Sequence, residues 1–188
     1  MIKTISVYLG SSEGKGGKYV ALAREVGRTL ARKGIKVVYG GAEVGTMKAL
    51  ADGVLEEGGY LVGVFPNGFG GKREVQAQNI EILCDRLSEC ILVRDFAERK
   101  ATMEALSECA LVLPGSVGTM DELFCYGVNN EIGLHDKKVY VLNYDGYYDG
   151  LRAQLETFVR EGFIPEGTVG DAPEGRIISF CSSLEEIL

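Results

Sequence analysis

Short apolar runs alternate with stretches of helical spacing along nearly the whole chain. The runs at 4–9, 35–39, 60–65, 80–83, 90–93, 110–113 and 138–143 read as strands, and helical periodicity fits 18–33, 45–57, 71–78, 96–108, 119–133 and 147–161. A further strand near 176–180 and a short helix capped by Ser182, with Glu185 three residues on, finish the pattern. Phe163–Gly175, with two prolines and three glycines, reads as a surface loop. Strand–helix alternation of this kind predicts a parallel sheet with helices on both faces and right-handed crossovers. No linker or low-complexity tract divides the chain. The expectation is one doubly wound, Rossmann-like α/β domain spanning residues 1–188.

Composition narrows the picture. With 188 residues and 46% hydrophobic content, the chain suffices for one well-buried core. No apolar run approaches the ~20 residues that a membrane span needs. Met1–Gly10 reads as a first strand and not as a signal peptide, so a soluble, cytoplasmic protein with no membrane partner is expected. A net charge of −7 argues against nucleic-acid binding, which draws its affinity from basic surface, but leaves room for a small phosphorylated ligand. Five cysteines without a Cys-x-x-Cys pair, and one histidine, give no zinc pattern. Cys84 and Cys109 sit among apolar residues and read as small buried hydrophobes, and no disulfide scaffold is expected.

The candidate chemistry lies in Leu111–Glu122, an apolar strand, a Pro-Gly turn, and a helix opening on Thr119 with acids in its first turns. A glycine turn at a helix N-terminus presents N–H groups and the positive end of the helix dipole to an anion. Asp121 and Glu122 follow closely, so one site could hold a phosphate and face a carboxylate toward something attached to it. The device occurs twice. Val37–Met47 is again strand, glycine turn and helix start, and Val-Gly-Thr-Met stands at both 44–47 and 117–120. In an open parallel sheet both turns would lie at the carboxyl edge, where ligands bind. Gly10–Lys15 does not fit a dinucleotide fingerprint, and Gly71-Lys72-Arg73 does not fit a Walker loop.

Two readings stay open for the charged residues. Asp95 and Glu98 form a capping box, after which Arg99 and Lys100 place two cations in the first turns of a helix, where the dipole disfavours them. Arg99 either pairs with Asp95 on the surface or faces an anionic ligand bidentately. Asp121 and Glu122 are either helix-stabilising acids or carboxylates with a task. His135, beside Asp136 and Lys137, reads as surface or structural. Tyr144–Tyr148 reads as a turn and helix start.

Arg99-Lys100 followed by Pro114-Gly115-Ser116-Val117-Gly118-Thr119-Met120-Asp121-Glu122 closely resembles the Arg-Lys and Pro-Gly-Gly-x-Gly-Thr-x-x-Glu signature of the LONELY GUY family. These are cytokinin-activating phosphoribohydrolases, often mislabelled lysine decarboxylases. The resemblance extends to Val7–Ser12, to Tyr39-Gly40-Gly41 with Gly45 and Met47, to Gly133–Lys137, and to Asn143 with Gly146-Tyr147-Tyr148. It implies hydrolysis of the N-glycosidic bond of a nucleoside 5′-monophosphate, with no metal and no organic cofactor. By resemblance, Glu122 holds the ribose hydroxyls and stabilises oxocarbenium-like charge, and Arg99 binds and polarises the nucleotide. The turn Gly115, Ser116, Val117, Gly118 and Thr119 cradles the phosphate. Gly40, Gly41, Gly45 and Thr46 shape the opposite wall, with Gly10, Ser11 and Lys100 completing the binding set.

The departures are Ser116 for the second glycine of the turn, Ala42 for a third glycine after Tyr39, Lys48 for a glycine, and Asn129 and Glu131 for a Trp and a Gln. A positive φ at 116 would strain serine. Losing the Trp bears on the base, not on the phosphoribose end. The resemblance also implies a homodimer, and Leu123, Phe124 and Tyr126 supply apolar surface on the helix after Thr119. A non-catalytic nucleotide or cofactor carrier on the same fold, like the molybdenum-cofactor carriers, is the rival. A pyridoxal-phosphate decarboxylase is suggested only by the family's misnomer.

Overall fold

The computed structural model describes residues 2–66 and 84–188. The helix expected at 71–78 and the strand at 80–83 lie outside the described residues. Among the described residues, eight strands form one parallel sheet: β1 (Thr4–Tyr8), β2 (Lys36–Tyr39), β3 (Leu61–Pro66), β4 (Glu89–Val93), β5 (Cys109–Val112), β6 (Val139–Leu142), β7 (Val169–Asp171) and β8 (Ile178–Cys181). Their order is β4-β3-β2-β1-β5-β6-β8-β7. The described helices are α1 (Lys18–Arg32), α2 (Gly45–Glu56), α3 (Phe96–Leu106), α4 (Val117–Glu131) and α5 (Asp149–Arg160).

The burial pattern explains the layers. Strands with side chains buried on both faces must be covered on both faces. Ile5, Val7, Val37, Tyr39, Cys109 and Leu111 pack with α1 and α2 residues such as Leu30 and Leu50. The alternate residues Tyr8, Val38, Val62, Ala110 and Val112 pack with Met103 of α3, Leu123 and Tyr126 of α4 and Leu155 of α5. The chain winds outward from β1 in one direction through β4, then returns and winds the other way from β5. The switch falls between β1 and β5, which pair in register from Ile5↔Cys109 to Tyr8↔Val112. A crevice opens at the carboxyl ends of strands where the winding reverses.

Four expectations are corrected. The Phe163–Gly175 loop contains β7, which pairs with β8 from Val169↔Ile178 to Asp171↔Phe180; three residues are too few to show a period. The final capping box is one residue later, Ser183 with Glu186, opening the 3-10 turn Leu184–Glu186. Cys84 is no buried hydrophobe: it is half-buried and disulfide-bonded to Cys90, with Cα atoms 5.2 Å apart, a spacing within disulfide reach. Cys109 is buried and free, as its sequence context suggests. Lastly, Leu123 and Tyr126 lie in the core, so the exposed apolar residues of α4 and its exit are Phe124, Val128, Ile132 and Leu134. Among the described residues no helix is long and apolar enough to cross a membrane.

Candidate active site

Both glycine turns lie at the carboxyl edge, one after β2 and one after β5, on either side of the β1 exit. Three contacts tie them together. Gly10 N–H donates to Pro114 O at 3.3 Å, Thr46 Oγ1 donates to Gly10 O at 2.6 Å, and Gly45 is packed against the Ser11 backbone. Gly10, Ser12, Thr46, Gly115, Ser116 and Tyr147 line a cavity of about 320 Å³ at this junction, with Lys15 and Tyr19 also on its wall.

α4 begins at Val117, two residues before Thr119. Ser116 is the N-cap residue at φ −119°, ψ −154°, an extended conformation open to any residue. Serine in place of glycine is therefore unstrained. Ala42 is likewise tolerated: among the described residues, Asp145 is the sole non-glycine with positive φ. Gly115 is required for another reason, because a Cβ there would overlap the Thr119 hydroxyl. Thr119 is buried beneath the turn, while Val117 is 85% exposed at its rim.

The early helix start changes the meaning of the acids. Asp121 and Glu122 are the fifth and sixth residues after the cap, and α4 has no acid in its first turn. The favourable field of a helix N-terminus fades within that turn, so neither residue is explained as a cap. Asp121 is exposed, and both its carboxylate oxygens lie 2.8 Å from Lys100 Nζ. Glu122 is buried and meets Arg99, with Nη1–Oε1 at 3.3 Å.

Arg99 is not the surface partner of Asp95. Asp95 caps α3 by accepting from Glu98 N–H at 2.8 Å, and the Glu98 carboxylate accepts from Arg94 N–H at 2.7 Å, so the box closes one residue earlier than expected. Arg99 turns inward instead. Its Nε donates to Val64 O at 3.2 Å, and its guanidinium lies so close to Gly40 that a Cβ there would overlap it. The glycine turn after β2 thus admits the arginine.

Two buried opposite charges with a single 3.3 Å contact are not a strong structural pair. Burial pushes the Glu122 carboxyl up to about 7, and the nearby Arg99 charge only partly opposes this. A buried carboxyl raised toward neutrality beside a specific charge is a functional-site candidate, although neither Glu122 nor Arg99 is among the residues lining the 320 Å³ cavity.

The site omits some residues and adds others. Lys100 is committed to Asp121, which raises its pKa, and is not aimed at the cavity. The His135 residue is partly exposed but its side chain is largely covered, with Nε2 3.4 Å from Glu104 Oε1 and Nδ1 accepting from Lys137 N–H at 3.2 Å, a structural place beyond the far end of α4. Asn129, standing where the family has Trp, donates to the same Glu104 at 2.8 Å. Tyr147 and Tyr148, read from sequence as turn residues, hold the site: Tyr147 Oη donates to Gly115 O at 2.6 Å and Tyr148 Oη to Leu113 O at 2.7 Å. Their signal was present in the Asn-x-x-Gly-Tyr-Tyr landmark, but no periodicity shows that a turn after β6 folds back onto the turn after β5. Among the described residues no group of three or more His, Cys, Asp or Glu is placed to hold a metal ion.

Fold and site together define a doubly wound α/β protein with two glycine turns and a buried Arg–Glu pair at one sheet edge. The chain belongs to the family described as "Possible lysine decarboxylase", whose model matches residues 47–185. It is 39% identical over 166 residues to a cytokinin riboside 5′-monophosphate phosphoribohydrolase of Rhodococcoides fascians, covering 88% of this chain and 80% of that one. A protein of the same name from Arabidopsis thaliana is 36% identical, covering 86% and 68% of the two chains. The molybdenum cofactor binding protein of Rippkaea orientalis superimposes with a TM-score of 0.66 over 99% of this chain and 93% of that one, at 19% identity. That likeness shows the shared fold alone.

Proposed function

We propose that this protein hydrolyses the N-glycosidic bond of a nucleoside 5′-monophosphate, releasing the free base and ribose 5-phosphate. The observation that carries this reading is the buried Arg99–Glu122 contact, with Glu122 on the helix whose N-terminus opens from the glycine turn after β5. The 5′-phosphate sits at the turn Gly115–Thr119, where helix N–H groups lack intrahelical acceptors. This seats the ribose toward Glu122. As the C1′–N bond breaks, its electron pair leaves on the base nitrogen, which takes a proton, and positive charge grows at C1′. The Glu122 carboxylate stabilises that charge, and a water oxygen bonds C1′ and gives up its proton. Arg99 holds Glu122 in place and meets the anionic nucleotide. The relatives' names support a cytokinin riboside monophosphate as substrate, with AMP the simplest test molecule.

The apolar stripe of Phe124 and Val128 on α4, continued by Ile132 at its C-cap, supports a homodimer as the working unit. Light scattering at micromolar concentration tests it, and a monomer refutes it. The rival carrier reading rests on fold likeness alone. The decarboxylase name gains nothing from Lys100: a Schiff-base lysine needs a lowered pKa, whereas Asp121 raises this one. The test is to incubate the protein with nucleoside 5′-monophosphates and score free base and ribose 5-phosphate in equal amounts. Tight nucleotide binding without base release would favour the carrier.

A further inference from the structure

Three consecutive carbonyl groups of the turn after β5 are held by donors from elsewhere in the fold. Leu113 O accepts from Tyr148 Oη at 2.7 Å, Pro114 O from Gly10 N–H at 3.3 Å, and Gly115 O from Tyr147 Oη at 2.6 Å. A cradle built of N–H groups works only while the neighbouring carbonyl oxygens point elsewhere, since a carbonyl oxygen facing a phosphate oxygen repels it. Gly115 is where that arrangement is weakest, because a residue without Cβ leaves its peptide planes freest to rotate.

The two tyrosines differ in where they stand. Tyr148 is 4% exposed and belongs to the core. Tyr147 is 42% exposed, and its ring walls the 320 Å³ cavity whose lining includes Gly10, Thr46, Gly115 and Ser116. Of this pair, Tyr147 alone both grips the turn and faces the cavity. Its ring is held independently of its hydroxyl, by edge contacts to Tyr19 at 5.4 Å and Tyr148 at 4.9 Å. Removing the hydroxyl therefore leaves the wall standing and frees one carbonyl.

We propose that Tyr147 is a positioning residue for phosphate recognition: its hydroxyl locks the Gly115 carbonyl out of the cavity and keeps the α4 N–H groups aimed into it. This rests on the nucleoside 5′-monophosphate reading of the site.

The test is calorimetric affinity for AMP and for adenosine in the wild type and Tyr147→Phe, with Tyr144→Phe as a control from the same turn. The wild type prefers AMP strongly. Tyr147→Phe loses roughly tenfold in AMP affinity, about the size of one hydrogen bond's influence, and leaves adenosine affinity unchanged. Inhibition by inorganic phosphate weakens in parallel, and KM rises more than kcat falls. Tyr144→Phe keeps the wild-type ratio. An unchanged AMP-to-adenosine ratio in Tyr147→Phe, or equal losses for both ligands, would overturn the positioning role while leaving the phosphate reading intact. Equal affinity of the wild type for AMP and adenosine would overturn that reading and this inference with it.

Discussion

The tetrapeptide Val-Gly-Thr-Met opens two helices at the same sheet edge, and the two copies do different work. In the first, Val44 is the extended N-cap residue and Gly45 starts α2 at φ 54°. In the second, Ser116 is the cap, Val117 starts α4, and Gly118 is an ordinary helical residue with open space where a Cβ would go. A one-residue shift of the cap thus separates them. Thr46 is used to bind the β1 exit through Gly10 O, whereas Thr119 supports the turn from below. The first turn also leaves room at Gly40 for Arg99; the second leads into a helix that carries Glu122 one turn further on. A repeated motif therefore marks a repeated way of joining strand to helix. The chemistry comes from the partners each copy is brought against.

The largest expected effect breaks the link between the two turns at Arg99. Arg99→Ala leaves Glu122 without its buried guanidinium partner and removes the charge proposed to meet the nucleotide, so binding and turnover should both fall. The combined kcat/KM loss is on the order of 10³-fold or more, read by base release at several substrate concentrations. A variant with unchanged KM would show that Arg99 does not touch the substrate in the ground state.

Next in size is the contrast between the two glycines of the tetrapeptide. Gly45→Ala must accept a left-handed backbone and drive its methyl group into the Ser11 backbone, so it should lose several kcal/mol and fold poorly. Gly118→Ala meets nothing, and its helix propensity should keep stability the same or raise it by up to ~1 kcal/mol. Urea midpoints decide this. Similar destabilisation at both positions would mean that the turns are structurally equivalent after all.

A comparable effect is carried by pH. Glu122 is pushed up to about 7 by burial, so its protonated form is favoured in the folded protein. Its contribution to stability is therefore complete below about 4.5 and is lost as pH rises through 7, a span worth on the order of 3 kcal/mol. Between pH 5 and pH 8 the ligand-free wild type should lose roughly 2 kcal/mol more than Glu122→Gln in urea unfolding. Parallel pH curves for the two proteins would place Glu122 in a polar setting, not a desolvated one.

Much of this arrangement was legible in the sequence because it is periodic or locally coded. The alternation of apolar runs and helical spacing located every described strand except β7, whose three residues are too few to show a period. Pro114-Gly115 and Tyr39-Gly40-Gly41 announced sharp turns because glycine has a recognisable local use. The Arg99–Glu122 contact spans two helices, and only the family resemblance linked the two residues. The role of Tyr147 was invisible for the same reason: its hydroxyl meets a backbone carbonyl 32 residues earlier, and backbone partners leave no mark on residue type. The helix start at Val117 was misplaced because threonine is the more familiar opening residue, yet Ser116, a good cap, stood just before it.

The central claim is that Glu122 acts on charge that appears only in the transition state, and the most direct measurement is kcat for base release from AMP in the wild type and Glu122→Gln, with Kd for AMP measured alongside. The account predicts a kcat loss of ~10²–10³-fold with Kd changed only a few-fold. Full hydrolytic activity in Glu122→Gln would contradict it and leave Glu122 as a buried structural partner of Arg99.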